Sequence, residues 1–213
     1  MATSIAPVLG ITGAVAAGKS AISRHLGSFG ARVIDVDGLG HAALASPAVR
    51  EAVVREFGRG VLAADGTLDR AALARSIFDG EDARRRLEAI VHPVVRRRID
   101  DEIAAGRAAH VPLIVVDCAL LFESGLDAIC DTTLAVDAPE ALRLARAWAA
   151  HGWDEAEVRR RMAAQLPPED KRARADRVAI NDGDESRLAD EARSLFDAVV
   201  RGAGAAATRR PSS

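Results

Sequence analysis

Aromatic residues make up only 3% of this 213-residue chain, and tyrosine is absent. Without rings to stack on bases, a platform for single-stranded nucleic acid is excluded. The formal net charge of −2 gives no basic footprint for nucleic acid either. Cysteine is nearly missing: Cys118 and Cys130 form neither a disulfide framework nor a paired metal knuckle. The five histidines show no ligand spacing to one another or to the cysteines, so no metal site made by protein alone is expected. No apolar run reaches the roughly 18 residues of a membrane span, and no basic region leads into an apolar core at the N-terminus. The cytoplasm is the expected address, and neither a membrane nor nucleic acid is an expected partner. Lysine is the last scarcity: of 29 basic residues only Lys19 and Lys171 are lysines.

What remains is a folding composition, 49% hydrophobic and 28% charged, in a chain long enough for one domain with insertions. Short buried runs at 6–12, 31–37, 113–118 and 132–137, with a weaker one at 177–181, read as strands. Helical patterns separate most of them, which predicts a mostly parallel five-stranded sheet covered on both faces, a three-layer α/β/α fold. From Gly38 to Gly106 the alternation stops and only helical patterns appear. There Leu87, Ile90, Val91, Val94, Ile99 and Ile103 form an apolar stripe that Pro93 is expected to kink or split. Asp65-Gly66 marks a turn, and Thr67 or Asp69 is placed to cap the next helix. Between Asp154 and Ala175 a second excursion carries an Asp154/Glu157 cap pair, an apolar stripe of Val158, Met162 and Leu166, and the run Arg159 to Arg161. Leu188, Ala192, Leu195, Phe196 and Val199 predict a closing helix, and 202–213 reads as a disordered tail.

The sharpest signal is Gly13-Ala-Val-Ala-Ala-Gly18-Lys19-Ser20, which fits G-x-x-x-x-G-K-[ST] directly after a predicted strand and at the start of a predicted helix. Gly13 and Gly18 let consecutive amides converge on phosphate oxygens, with Ala16, Ala17 and Ala21 completing the loop and its helix start. Lys19 is placed for the β- and γ-phosphates of ATP, and the Ser20 hydroxyl for Mg2+. Asp117 ends the run Leu-Ile-Val-Val, where a carboxylate at the carboxyl edge of a parallel strand faces metal and phosphates. Asp35 and Asp37 end the second strand at i and i+2, on one face, and Asp37 lies nearer the ligand edge, a position suited to a base acting on an acceptor hydroxyl. No N-K-x-D element is present, so a GTPase is not expected. Kinase, ATPase and passive nucleotide binder all remain open on these residues alone.

Further pieces occur in order: Val33-Ile-Asp-Val-Asp37, Gly66-Thr-Leu-Asp-Arg70, Leu87-Glu-Ala-Ile-Val-His-Pro93, Leu120-Leu-Phe-Glu123, Val136-Asp-Ala-Pro-Glu140, Arg146, Arg161-Met-Ala-Ala-Gln165, Lys171 and Asn181. As an ordered set they resemble the dephospho-CoA kinase family over about residues 8 to 200. The resemblance implies a P-loop NTPase-type kinase that uses ATP and Mg2+ to phosphorylate the ribose 3′-hydroxyl of 3′-dephospho-CoA, as a monomer or small homo-oligomer. It implies one kinase domain over 6–201, with a core of about 6–37, 107–150 and 176–201, an acceptor-binding insertion over 38–106 and a lid over 151–175. By the same resemblance Asp37 is the catalytic carboxylate and Arg146 an arginine near the transferred phosphate. Asn181 falls near the adenine pocket, while His92, Leu120, Glu123 and Arg161 fall on the acceptor side. For Arg146 and Arg159 to Arg161 a solvated helix face is the alternative, for His92 a helix-end role, and for Glu123 a plain loop position.

The chain departs from the family pattern at Ala14, Ala21, Ala119, Ala150, His151 and Ile180. None of these removes Lys19, Ser20, Asp37 or Asp117. The competing expectations are another small-molecule P-loop kinase, acting on gluconate, shikimate or a nucleoside monophosphate, and a catalytically weak nucleotide-binding regulator.

Overall fold

The computed structural model describes residues 5–78 and 80–207. Five strands, β1 (Val8–Gly13), β2 (Arg32–Asp35), β3 (Ile114–Asp117), β4 (Thr132–Asp137) and β5 (Arg177–Ile180), form one sheet in the order β2-β3-β1-β4-β5. Every pairing is parallel, with Val8 opposite Ile114 and Leu9 opposite Thr132. β1 lies at the centre and all six of its residues are buried, which explains why it reads as a continuous apolar run without alternation.

One face of the sheet presents Leu9, Ile11, Leu113, Val115, Leu134, Val136 and Ala179 to α1 (Lys19–Ser28) and α9 (Glu185–Ala207). Ile22 and Leu26 enter this layer from α1, and the predicted stripe Leu188, Ala192, Leu195, Phe196 and Val199 enters it from α9. Each large side chain buried here stabilises the fold by about 1.5–3 kcal/mol, so this layer is what holds the phosphate-binding loop in place. The closing helix runs to Ala207, into the stretch read as a disordered tail; residues 208–213 lie outside the described residues.

Val36–Glu102 forms a compact unit of its own, and the described residues on either side of it form the other. In the first unit α2 (Val36–Ala45), α3 (Pro47–Phe57) and α4 (Arg70–Phe78) precede α5 (Glu81–Ala108), whose earlier part belongs to it. Val49, Val53, Val61 and Leu73 make its core, with Leu87, Ile90, Val91 and Val94 of α5 packed against them. Of the two cap candidates Asp69 serves: its Oδ1 accepts from the amides of Ala71 and Ala72 at 2.9 and 3.0 Å. Thr67 instead donates its amide and hydroxyl to Asp65 in the turn before it.

Two expectations are corrected here. Pro93 does not split its helix, because α5 is continuous through it. The second strand also ends earlier than the sequence pattern predicts, at Asp35, and Val36 already begins α2. Asp37 therefore stands in the first turn of a helix, where a carboxylate is favoured by the exposed amides, and is not at i+2 along a strand from Asp35.

In the other unit, α6 (Glu140–His151), α7 (Glu155–Ala163) and α8 (Pro168–Arg174) link β4 to β5. Asp154 caps α7 by accepting from the Glu157 amide at 2.8 Å, as the residue pair predicts. No helix among the described residues is long and apolar enough to cross a membrane.

Candidate active site

Gly13 closes β1 and leads into the loop that ends at α1. The reason for glycine at this position is close approach to the next strand, because a Cβ there would lie 2.5 Å from the Val136 carbonyl oxygen of β4. Gly18 is the position that needs unusual backbone angles, with φ 92° and ψ 25° at the N-cap of α1. Ala16 also has positive φ, at 58°, a conformation that disfavours any side chain and marks a loop held in shape by its surroundings. Alternation of this kind turns successive amides to one side and forms a nest for an anion. Among the described residues no protein acceptor takes the amides of Val15, Ala16 and Gly18, while those of Ala14 and Ala17 bond to Val136 and Ala14 carbonyls. These donors, together with the positive end of α1, fit a chain of phosphates.

Lys19 and Ser23 are four residues apart on α1, so both reach the same carboxylate at the end of β3. The Lys19 ammonium pairs with Asp117 Oδ1, and the Ser23 hydroxyl donates to Oδ2 at 2.7 Å. Asp117 is 6% exposed and does not stand alone in the interior. Ser20 faces solvent on the first turn of α1. Ala21 packs into the core layer beneath the sheet.

The back of the loop is braced from β5 and α6. Asn181, directly after β5, donates Nδ2 to the Ala17 carbonyl at 3.0 Å and accepts at Oδ1 from Arg146 Nη2 at 2.9 Å. Arg146 Nη1 also reaches the carbonyls of Asn181 and Ala17, at 3.3 and 3.4 Å. A Cβ on Gly18 would fall on Asn181 Nδ2, so this brace and the glycine require each other. Arg146 and Asn181, far apart in sequence, thus act on one loop carbonyl.

The excursion between β4 and β5 meets the loop through an apolar contact in which Val15 packs with Ala147 and Val158. Beside it lies a cleft of about 820 Å³ whose lining includes Ala14, Val15, Asp137, Arg143, Met162 and Arg172. Arg143, 6% exposed, donates Nε to the Ala138 carbonyl at 3.1 Å. Arg172 pairs with Asp137 on the same wall. Arg159, Arg160 and Arg161 behave as a solvated face: each pairs with Glu155 or Glu157 of its own helix, and Arg161 stacks on Trp153 at 3.8 Å.

Lys171 on α8 is 1% exposed. Its Nζ donates to the Ala119 carbonyl at 2.6 Å and to Gln165 Oε1 at 2.9 Å, with Glu123 Oε1 at 3.3 Å. Burial pushes this ammonium below the ordinary lysine range, and Glu123 pulls it part of the way back. Glu123 also accepts the Leu166 amide at 2.7 Å, so it is more than a plain loop residue. Leu120, in the same loop, is exposed. His92 is exposed on α5 and Asp37 is exposed on α2, both in the other compact unit. The phosphate-binding loop thus gathers Lys19, Asp117, Arg146 and Asn181. Ser23 was not anticipated, although its i, i+4 spacing from Lys19 is visible in the sequence; Arg143 carried no signal among so many arginines.

With this geometry in view, the comparisons with known proteins are specific. The family model described as dephospho-CoA kinase matches residues 7–187. The dephospho-CoA kinase of Anaeromyxobacter dehalogenans is 43% identical over 199 residues, covering 92% of this chain and 94% of that protein. The chain belongs to the dephospho-CoA kinase family. A crystal structure of a Thermus thermophilus protein superposes with a TM-score of 0.81 at 36% identity, covering 91% of this chain and 98% of that one. A dephospho-CoA kinase from Campylobacter jejuni shares the fold at a TM-score of 0.60 and 20% identity, covering 92% and 98%. As a dephospho-CoA kinase family member the chain is an enzyme, a phosphotransferase with ATP-dependent kinase activity on a small molecule.

Proposed function

We propose that the chain transfers the γ-phosphoryl group of ATP to the ribose 3′-hydroxyl of 3′-dephospho-CoA, giving CoA and ADP, in the cytoplasm. The observation that carries this reading is the gathering of Lys19, Asp117 and the open amides of Val15, Ala16 and Gly18 at the carboxyl ends of β1 and β3. In such transfers positioning and charge neutralisation do most of the work. The loop amides hold the phosphates, and Lys19 neutralises charge that develops during transfer. Ser20 and Asp117 are the residues that would hold Mg2+, which would supply neutralisation of the phosphate charge. Asp37 takes the proton of the acceptor hydroxyl, a role supported by the family resemblance of Val33-Ile-Asp-Val-Asp37. His92, Leu120, Glu123 and Arg161 serve the acceptor side on the same ground. The Arg161 role must compete with its contacts to Glu157 and Trp153.

The test is ADP release from magnesium-ATP with dephospho-CoA, AMP, gluconate, shikimate or no acceptor, and CoA identified by mass. Release that requires dephospho-CoA is the expected result. Equal release with another acceptor, or none with any, overturns the proposal.

The brace on the loop makes a separate prediction. Asn181→Ala removes hydrogen bonds to Ala17 and Arg146, each worth about 1 kcal/mol, so ATP affinity should fall by up to about thirtyfold. Calorimetric titration with ATP checks this, and kcat at saturating ATP should change much less. Unaltered affinity would mean that the loop keeps its shape without the brace.

A further inference from the structure

We propose that Lys171 is a positioning residue for phosphoryl transfer: its ammonium bolts the turn between α7 and α8 to the loop after β3, and thereby holds Asp117 in register with the phosphate-binding loop.

An ammonium has three N–H donors and no acceptor. At Lys171 three oxygens from two segments surround it, Ala119 O and Glu123 Oε1 in the loop after β3 and Gln165 Oε1 in the turn before α8. The cage continues outward at both ends. Glu123 Oε1 also accepts the Leu166 amide, so the turn is gripped twice. Ala119 O also accepts from the Thr12 hydroxyl at 3.0 Å, and Thr12 immediately precedes Gly13. One bonded path therefore runs from the strand that opens the phosphate-binding loop, through Ala119 and Lys171, to Gln165 and Leu166.

The position of Ala119 gives the path its consequence. Cys118 still donates its amide to Ile11 and extends the pairing of β3 with β1. Ala119 is the first residue beyond that pairing and stands two residues from Asp117, whose carboxylate holds both Lys19 and Ser23. Without Lys171 the loop keeps only the Thr12 hydroxyl at this carbonyl. Packing alone does not call for a charge here, since an apolar chain of similar volume fills a buried site without the desolvation penalty of an ion. Nor does the chain use lysine freely, with arginine at all basic positions except Lys19 and Lys171. A compact ammonium can point donors in three directions inside so small a cage, whereas a planar guanidinium cannot.

The inference rests on the dephospho-CoA kinase activity proposed above, so the wild-type protein is assayed first. Lys171→Met, Lys171→Arg and Gln165→Leu are then compared by thermal unfolding and by steady-state kinetics in both substrates. Lys171→Met is expected to lower kcat by about ten- to a hundredfold, the range for catalytic groups displaced by up to about 1 Å, with the KM for ATP within about threefold of wild type. Lys171→Arg should not restore kcat. Gln165→Leu cuts one strut from a half-buried position and should lower kcat by about three- to tenfold with little change in melting temperature. The inference is overturned if folded Lys171→Met turns over at the wild-type rate. It is equally overturned if Lys171→Met does not fold and Gln165→Leu has wild-type kcat, since Lys171 would then only stabilise the fold. An inactive wild type would overturn the proposed function and this inference together, whereas an active wild type with indifferent variants overturns this inference alone.

Discussion

Lys19→Ala is expected to lower kcat with dephospho-CoA by about a hundred- to a thousandfold, the usual consequence of deleting one preorganised charge aimed at a transition state. Two effects combine. The ammonium proposed to neutralise the transferred phosphoryl group disappears, and Asp117 loses its cation at a buried site. Only the Ser23 hydroxyl then remains of the two groups seen on Asp117, and an under-compensated carboxylate near a phosphate site repels the substrate. ATP affinity should therefore fall along with kcat. Adding Asp117→Asn to Lys19→Ala separates the two effects, because it removes the repulsion without returning the ammonium. In the absence of Mg2+, part of the ATP affinity should come back, measured by calorimetry, while kcat with Mg2+ stays low. Turnover near the wild-type level in Lys19→Ala would show that the glycine loop is a structural turn.

The second large effect is expected from Asp37→Asn. General-base catalysis contributes about 10²- to 10⁴-fold, and an amide cannot accept the proton of a hydroxyl, so kcat should fall within that range. The groups assigned to ATP (the loop amides, Lys19, Ser20, Asp117 and Asn181) all belong to one compact unit, and Asp37 belongs to the other. The substitution should accordingly leave ATP affinity within about threefold of wild type, which equilibrium titration with ATP can verify. Asn keeps the size and most of the polarity of Asp in the first turn of α2, so a fold defect is not the expected reason for the loss. A parallel loss of ATP affinity would move Asp37 from acceptor chemistry to holding metal or structure.

Much of this arrangement is legible in the residues themselves, for reasons that also explain the rest. β1, β3 and β4 are buried on both faces and so stand out as apolar runs, and the glycine loop follows β1 directly. Asp117 is readable because it ends such a run. Asp37 is placed on the wrong element by pattern alone, since Val33-Ile-Asp-Val-Asp37 alternates like a strand until the helix takes over at Val36. Proline argues for a break at Pro93, but packing of Leu87, Ile90, Val91 and Val94 onto one core outweighs the lost hydrogen bond. Hardest to see are the long-range partners. Asn181 grips Ala17 across 164 positions and Lys171 grips Ala119 across 52, and neither side chain has a local periodicity to betray it.

The order of strands across the sheet also bears on how this chain is made. β1 emerges from the ribosome first, yet both of its neighbours lie about a hundred residues further on: Val8 aligns with Ile114, and Leu9 with Thr132. At the usual 5–20 residues per second of synthesis, six residues destined for the interior wait roughly 5–20 s for any strand partner. Val36–Glu102 needs no such delay, because its helices bury their apolar sides against one another. The nascent protein should thus acquire a folded middle before it has a nucleotide-binding loop, and its N-terminal strand should be the segment most in need of chaperone cover during translation.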